Sequence, residues 1–285
     1  MNNTLPTAET VPAPDGTPLA VRRWSAAAPR GHVVIVHGLG EHAGRYAHVA
    51  ARVVAAGWRV SAFDLRGHGR SGGPRGGVRR ADDHLRDLAT VLDHLHPAPP
   101  GGAGPAGPLV LLGHSMGGQV AALFVARAVR PVDGLVLSSP ALDAGLSWFQ
   151  RFQVAVGHAL APDLAQSNRL DVDRISHDPQ VVRAYRDDPL VHDRVTARTA
   201  RAILDGGAEV LASAPAWRVP TLLLWAGADA LVSPAGSAKF AATAPASVVR
   251  ARCFDALYHE ILNERDAEPV FAELLAWLEA RAAGA

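Results

Sequence analysis

Ser115 lies in Gly113-His114-Ser115-Met116-Gly117, a G-x-S-x-G pentapeptide. The apolar run Leu109-Val110-Leu111-Leu112 precedes it and a helix-compatible run, 119–130, follows. A serine between two glycines at a strand-to-helix junction is held on a tight turn, with its hydroxyl clear of the sheet. Alone, that hydroxyl is a poor nucleophile. It needs a histidine base, and the histidine needs a carboxylate to fix its tautomer and stabilise its cation.

Thirteen histidines are available, so position must choose the base. His259 is the only one C-terminal to His192, and it follows the last strand-like run, in Phe254-Asp255-Ala256-Leu257-Tyr258-His259-Glu260. A serine on such an elbow is served by an acid and then a histidine, each after a later strand. Asp229 follows Leu222-Leu223-Leu224-Trp225-Ala226-Gly227-Ala228, an apolar strand with a small turn. Asp143, after the strand ending near Ser138, is a geometrically feasible rival. Asp255 is close to His259 in sequence but sits at the end of the strand itself.

The tetrahedral oxyanion of acyl transfer needs two backbone N–H donors. One belongs to Met116, the residue after the nucleophile, where a helix dipole favours an anion. The other belongs to the loop after the strand Val33-Val34-Ile35-Val36. That loop is His37-Gly38-Leu39-Gly40, which makes Leu39 the donor. Glu41 and Arg45 either tether this loop as an ion pair or stand as two solvated charges.

The elements that must hold these groups alternate. Strand signals at 33–36, 59–65, 109–112, 135–137, 221–225 and 248–254 are interleaved with helical runs at 46–56, 82–95, 119–130 and 268–282. This predicts an α/β fold with a mostly parallel central sheet and helices on both faces. Residues 97–108 are rich in Pro, Gly and Ala and read as a flexible surface loop. Strand signals stop between 141 and 216, a stretch too long for a loop. It reads as a helical cap inserted into a core made of 1–140 and 217–285. Its apolar patch, Leu146, Trp148, Phe149, Phe152 and Val156, either docks the insertion on the core or lines an apolar acyl site as a lid.

Here a resemblance becomes visible. His37-Gly38-Leu39-Gly40-Glu41-His42-Ala43-Gly44-Arg45-Tyr46 is similar to the H-G-x-G-E-H-x-x-R-Y segment of monoacylglycerol lipases and their lysophospholipase-like relatives. Asp64-Leu65-Arg66-Gly67-His68-Gly69-Arg70-Ser71-Gly72-Gly73 resembles their D-x-R-G-H-G-x-S-x-G loop. Gly113 to Gly118 matches their G-H-S-M-G-G segment. Gly227-Ala228-Asp229, Tyr258-His259-Glu260 and the cap segment Asp187-Asp188-Pro189-Leu190-Val191 also have counterparts there. The resemblance spans about 15–280. It implies an α/β-hydrolase core with a lid, hydrolysis of esters of apolar acyl chains, the triad Ser115, Asp229 and His259, and oxyanion donors Leu39 and Met116. Acyl transfer by such a triad needs no cofactor and no metal.

Composition narrows the partners. The chain has 285 residues, 48% of them hydrophobic, and a formal net charge of +1. That argues against a strongly basic nucleic-acid surface and a strongly anionic partner; the small-molecule ester or lipid substrate is what the resemblance implies. No apolar stretch of about 18 residues suggests a membrane span, so contact with lipid surfaces is expected to be transient and through the cap. Residues 1–15 lack the basic-then-apolar layout of a secretory signal. The single cysteine, Cys253, reads as a buried strand residue. With no internal disulfide to form, a cytoplasmic location is expected. The oligomeric state is open.

Competing readings fit less of the chain. Gly38-Leu39-Gly40-Glu41-His42-Ala43 satisfies a relaxed G-x-G-x-x-A dinucleotide fingerprint, with Asp64 as the ribose acid. It puts Glu41 beside a pyrophosphate and leaves Ser115, Asp229 and His259 without a role. His37, Glu41 and His42 have no metal-ligand spacing. A serine at the elbow excludes an aspartate nucleophile. A short-chain carboxylesterase, an acyltransferase and a non-catalytic ligand receptor on the same fold remain open. Ester turnover that disappears in Ser115→Ala separates the receptor from the rest.

Overall fold

The computed structural model describes residues 6–96 and 107–283. The loop expected at 97–108 falls largely outside them. Eight strands form one sheet in the order β1-β2-β4-β3-β5-β6-β9-β10. They are β1 (Thr7–Pro12), β2 (Pro18–Trp24), β3 (His32–Val36), β4 (Arg59–Phe63), β5 (Leu109–His114), β6 (Gly134–Ser138), β9 (Thr221–Ala226) and β10 (Val249–Phe254). The six from β4 to β10 pair in parallel, while β1 and β2 join antiparallel at one edge.

The central strands are apolar runs because both faces are covered. Val33 and Ile35 point into one core with helices α1 (Ala47–Ala55) and α8 (Glu268–Ala283). Val34 and Val36 point into the other, with α2 (Asp83–Leu95), α3 (Ser115–Ala126) and α7 (Pro234–Thr243). No side chain of β3 is exposed, which a sheet buried on both faces requires.

The chain leaves β3 for β4 on one side and returns to β5 on the other. Such a reversal opens a crevice at the carboxyl ends of the strands, the usual place for a ligand in this architecture. Val36 stands opposite Gly113. The loops that follow these two strands are therefore neighbours.

Residues 141–216 are less helical than expected. Besides α4 (Trp148–Leu160), α5 (Pro179–Asp187) and α6 (Ala197–Ser213), they carry a two-stranded antiparallel ribbon of β7 (Ala165–Ser167) and β8 (Arg194–Thr196). A Ser147–Gln150 capping box starts α4, satisfying backbone donors that would otherwise be orphaned. Among the described residues α4 has no buried side chain, so its aromatic patch does not dock on the core. Instead Leu146, Phe149, Phe152 and Val156 line one wall of a cavity of 630 Å³, with the ribbon and the start of α6 opposite. The later part of α6 does reach the core: Val210 is fully buried there, and Gly206 lies against Gln119 of α3.

The elbow depends on missing side chains. A Cβ on Gly117 would lie 2.2 Å from the Val36 carbonyl oxygen and 2.3 Å from that of His37. On Gly113 it would lie 2.5 Å from the Gly117 oxygen. Backbone cannot yield as a flexible side chain can. Gly117→Ala should push α3 off β3 and lower the melting temperature by about 5 °C or more. A calorimetric shift below about 1 °C would contradict this packing.

Candidate active site

Ser115 begins α3 with a positive φ of 52°, a costly conformation for a residue with a side chain and one found at functional turns. It is half-buried at the C-terminal end of β5. A Cβ on Gly38 would come within 3.2 Å of the Ser115 Cβ, so the serine faces the loop after β3. Met116, next in the chain, is buried in the first turn of α3. Leu39 is partly buried and packs on the core.

The loops after β9 and β10 meet. The Nδ1–H of His259 donates to Oδ2 of Asp229 over 2.6 Å, with both side chains nearly inaccessible. The other carboxylate oxygen of Asp229 accepts the N–H groups of Leu231 and Val232. Three donors thus hold one carboxylate, and the bond to Nδ1 puts the lone pair of the neutral ring on Nε2. No hydrogen bond joins Ser115 Oγ to Nε2 among the described residues. Catalytic contacts of this kind are often loose without substrate. Asp143, the rival acid, is spent elsewhere: its Oδ1 takes Arg151 and the Gly145 N–H.

The loop after β3 is pinned from below. The His37 ring donates from Nδ1 to the Gly38 carbonyl and accepts the Leu65 N–H at Nε2. Burial holds its basicity below the ordinary range, against the pull of Glu41 and Asp64. Asp64 accepts the Ala43 and Arg70 N–H groups. Both its oxygens are committed to protein, and Glu41 occupies the space beside the Gly38 N–H. The dinucleotide reading therefore lacks both its ribose acid and its phosphate site.

Glu41 and Arg45 are buried and paired, not solvated. Glu41 accepts the Gly38 N–H at 2.6 Å and the Tyr46 hydroxyl at 2.7 Å on Oε1, and Arg45 at 2.6 Å on Oε2. Burial raises the Glu41 carboxyl, but Arg45, His114, His37 and the Tyr46 hydroxyl together outweigh it and hold the group below its usual range. Asp188 and His192 are stitched to the same loop. His42 donates to Asp188 over 2.8 Å, and the His192 N–H donates to the Gly40 carbonyl.

Two buried glutamates beside the site had no role assigned to them from the sequence. Glu260, beside His259, receives both terminal nitrogens of Arg45 at 2.7 Å. Glu264 accepts from Ser176 Oγ and from the His177 and Tyr258 N–H groups. A signal existed for Glu260: Ile261 and Leu262, directly after it, are apolar and both buried. A charge at the head of such a run must be buried with a partner or stand apart from it.

The remaining polar groups are structural. Arg66 is buried against Asp87, Asp83 and Asp15. Arg75 holds the Gly69 carbonyl. His114 bonds Ser138, and its ring centroid lies 4.7 Å from that of His259. Cys253 is half-buried, and burial pushes its thiol up to about 11, with Asp255 adding to the shift. No group of three or more His, Cys, Asp or Glu side chains is placed to hold a metal ion among the described residues.

Residues 27–266 match the family model described as serine aminopeptidase, S33. The chain is 38% identical over 258 residues to a monoacylglycerol lipase of Mycolicibacterium smegmatis, covering 88% of each protein. It is 30% identical over 252 residues to the phospholipase YtpA of Bacillus subtilis, covering 87% of this chain and 95% of that one. The crystal structure of a Paleococcus ferrophilus monoacylglycerol lipase superposes with a TM-score of 0.83 at 30% identity, covering 92% of this chain and 99% of that one. The fold is thus that of the α/β-hydrolases.

Burial pushes His114 and His84 down to about 4, from an ordinary value of 6.5. His259 adds to the shift in His114, and Arg66 to that in His84. Between these values the unfolded chain binds protons that the folded chain refuses. Stability is therefore full above about pH 6.5 and falls as the pH drops toward about 4. Melting temperatures should decline steadily across that window. Equal values at its two ends would contradict neutral, buried histidines.

Proposed function

The chain belongs to the serine aminopeptidase S33 family, within its monoacylglycerol lipase-like hydrolases, and is an ester-hydrolysing serine hydrolase; we propose that Ser115, His259 and Asp229 are its catalytic triad. The observation that carries this reading is the 2.6 Å bond from His259 to Asp229 at the sheet edge that presents Ser115 on its strained turn.

His259 Nε2 takes the Ser115 proton as Oγ attacks the ester carbonyl. The N–H groups of Leu39 and Met116 hold the oxyanion, aided by the positive end of α3. The imidazolium, stabilised by Asp229, then protonates the leaving alcohol. Water attacks the acyl-enzyme by the same route and releases the acid.

The substrate proposed is a monoacylglycerol or a lysophospholipid with an apolar acyl chain, and residues 141–216 are the cap that receives it. The cavity beneath α4 has a volume typical of small-ligand sites. Asn168, in its lining, approaches Gly40: a Cβ placed there would lie 3.5 Å from the Asn168 amide nitrogen. The outer side of α4 presents Trp148 at 80% and Leu160 at 81% exposure. Burying each in lipid is worth about 1.5–3 kcal/mol, so the cap contacts lipid surfaces transiently. No helix among the described residues is long and apolar enough to cross a membrane. The cytoplasm is the proposed location, since the lone thiol needs no oxidising compartment.

Ser115→Ala should remove nearly all ester hydrolysis. Asp229→Asn should lower kcat by about 10⁴-fold through the wrong tautomer, and Asp143→Asn should leave it nearly intact. A Ser115→Ala enzyme keeping a tenth of wild-type turnover would refute the nucleophile. In a separate assay, Trp148→Ser with Leu160→Ser should reduce sedimentation with phosphatidylcholine vesicles containing monoacylglycerol. Hydrolysis of a soluble short ester should stay within about twofold, because neither side chain reaches the site. Unchanged vesicle binding would refute contact through α4.

A further inference from the structure

The guanidinium of Arg45 stands between the two loops that the reaction needs in register. One terminal nitrogen bonds Glu41 at 2.6 Å and Glu260 at 2.7 Å, and the other bonds Glu260 at 2.7 Å. All three side chains are at most 11% exposed. Each carboxylate is one short link from the chemistry. Glu41 accepts the N–H of Gly38, the residue before Leu39. Glu260 is the residue after His259, and its own N–H donates to the Ile175 carbonyl of the cap. Arg45 also lies 4.6 Å from the ring centroid of Tyr185 on α5. It therefore contacts the loop after β3, the loop after β10 and the cap together.

We propose that Arg45 is a positioning residue: by forking between Glu41 and Glu260 it fixes the oxyanion loop and the His259 loop in one relative geometry. This rests on the triad reading above. Only a planar, multidentate cation can do it. A guanidinium presents five donors in a rigid fork, whereas an ammonium is a point charge that meets two carboxylates without orienting them. The two loops leave the sheet from β3 and β10, four strands apart in the sheet order. Strand pairing sets each of them only at its base. The buried fork ties them above the sheet, next to the reacting groups. Asn263 donates to the same Glu260 oxygen, Oε2, that takes the second Arg45 nitrogen.

The account makes a claim that a merely structural ion pair does not. Removing the fork should loosen the reacting geometry and leave the acyl cavity alone, so kcat should fall while KM holds. A misplacement near 1 Å costs about 10²-fold in rate. Turnover of a soluble monoacylglycerol should be measured for wild type, Arg45→Lys, Arg45→Met, Glu260→Gln and Arg45→Met with Glu260→Gln. Rates should be expressed per folded protein by circular dichroism. Arg45→Met should lower kcat about 10²-fold with KM within about threefold. Arg45→Lys should recover about tenfold of that loss, and the double variant should be no slower than Arg45→Met.

Wild-type kcat in Glu260→Gln overturns the proposal, even where Arg45→Met cannot be purified folded. So does a double variant whose loss is the product of the single losses, or a rise in KM at constant kcat. Ser115→Ala, run alongside, separates the two levels. Activity surviving there removes the triad reading itself. A dead Ser115→Ala beside fully active Arg45 and Glu260 variants removes only the role of Arg45.

Discussion

The parallel pairing of β3 with β5 is the constraint on which the rest depends. Val36 opposite Gly113 brings the loop 37–40 beside the elbow of Ser115. The close approach of Gly117 to the Val36 and His37 carbonyls then presses α3 onto the strand end. Any Cβ at that point would lift the helix, and with it the N–H of Met116. The proposed oxyanion donors are thus set by backbone packing, which is stiffer than any side-chain contact and demands no reorganisation during the reaction. The proposed base and acid need less. They arrive on loops after β10 and β9, and one hydrogen bond orients them.

Above the sheet, rigidity comes from buried charge. Glu41, Glu260 and Glu264 are all nearly inaccessible, and each is satisfied by several donors. Burying such groups is costly, and an unpaired one is costlier still. What they supply is orientation, with Arg45 joining two of them and the cap segment Ile175 to His177 closing over the third. This logic suits a site covered by the proposed cap. Residues 141–216 do share apolar contact with the loops beneath them, where Leu231 packs against Ile175, Val182 and Tyr185. Directed hydrogen bonds at Asp188, His192, Ser176 and His177 add to that contact.

The sheet was legible where both of its faces are covered. Val33 to Val36, Val110 to Leu112 and Leu222 to Leu224 are wholly apolar because no side of them meets water, and their order in the chain led to the partners proposed for Ser115. β1 and β2 escaped notice for the opposite reason. They lie at the edge of the sheet, and Arg22, Arg23 and Pro12 interrupt their alternation. The ribbon of β7 and β8 is three residues a side, too short for a period to emerge. Asp229 and Asp143 both followed strands, and only the bond to His259 distinguishes them. Glu260 stood in plain view next to His259. Its role lies in a partner 215 positions away, and such a pairing leaves no mark in local pattern.

The central claim is that one serine, made nucleophilic by one histidine, does the chemistry. Treatment with a fluorophosphonate ester, followed by intact-mass measurement and peptide mapping, tests it most directly. The account predicts a single adduct, on Ser115, forming rapidly in wild type and at least about 10³-fold more slowly in His259→Ala. An adduct on another residue, or labelling of Ser115 at the same rate without His259, would contradict it.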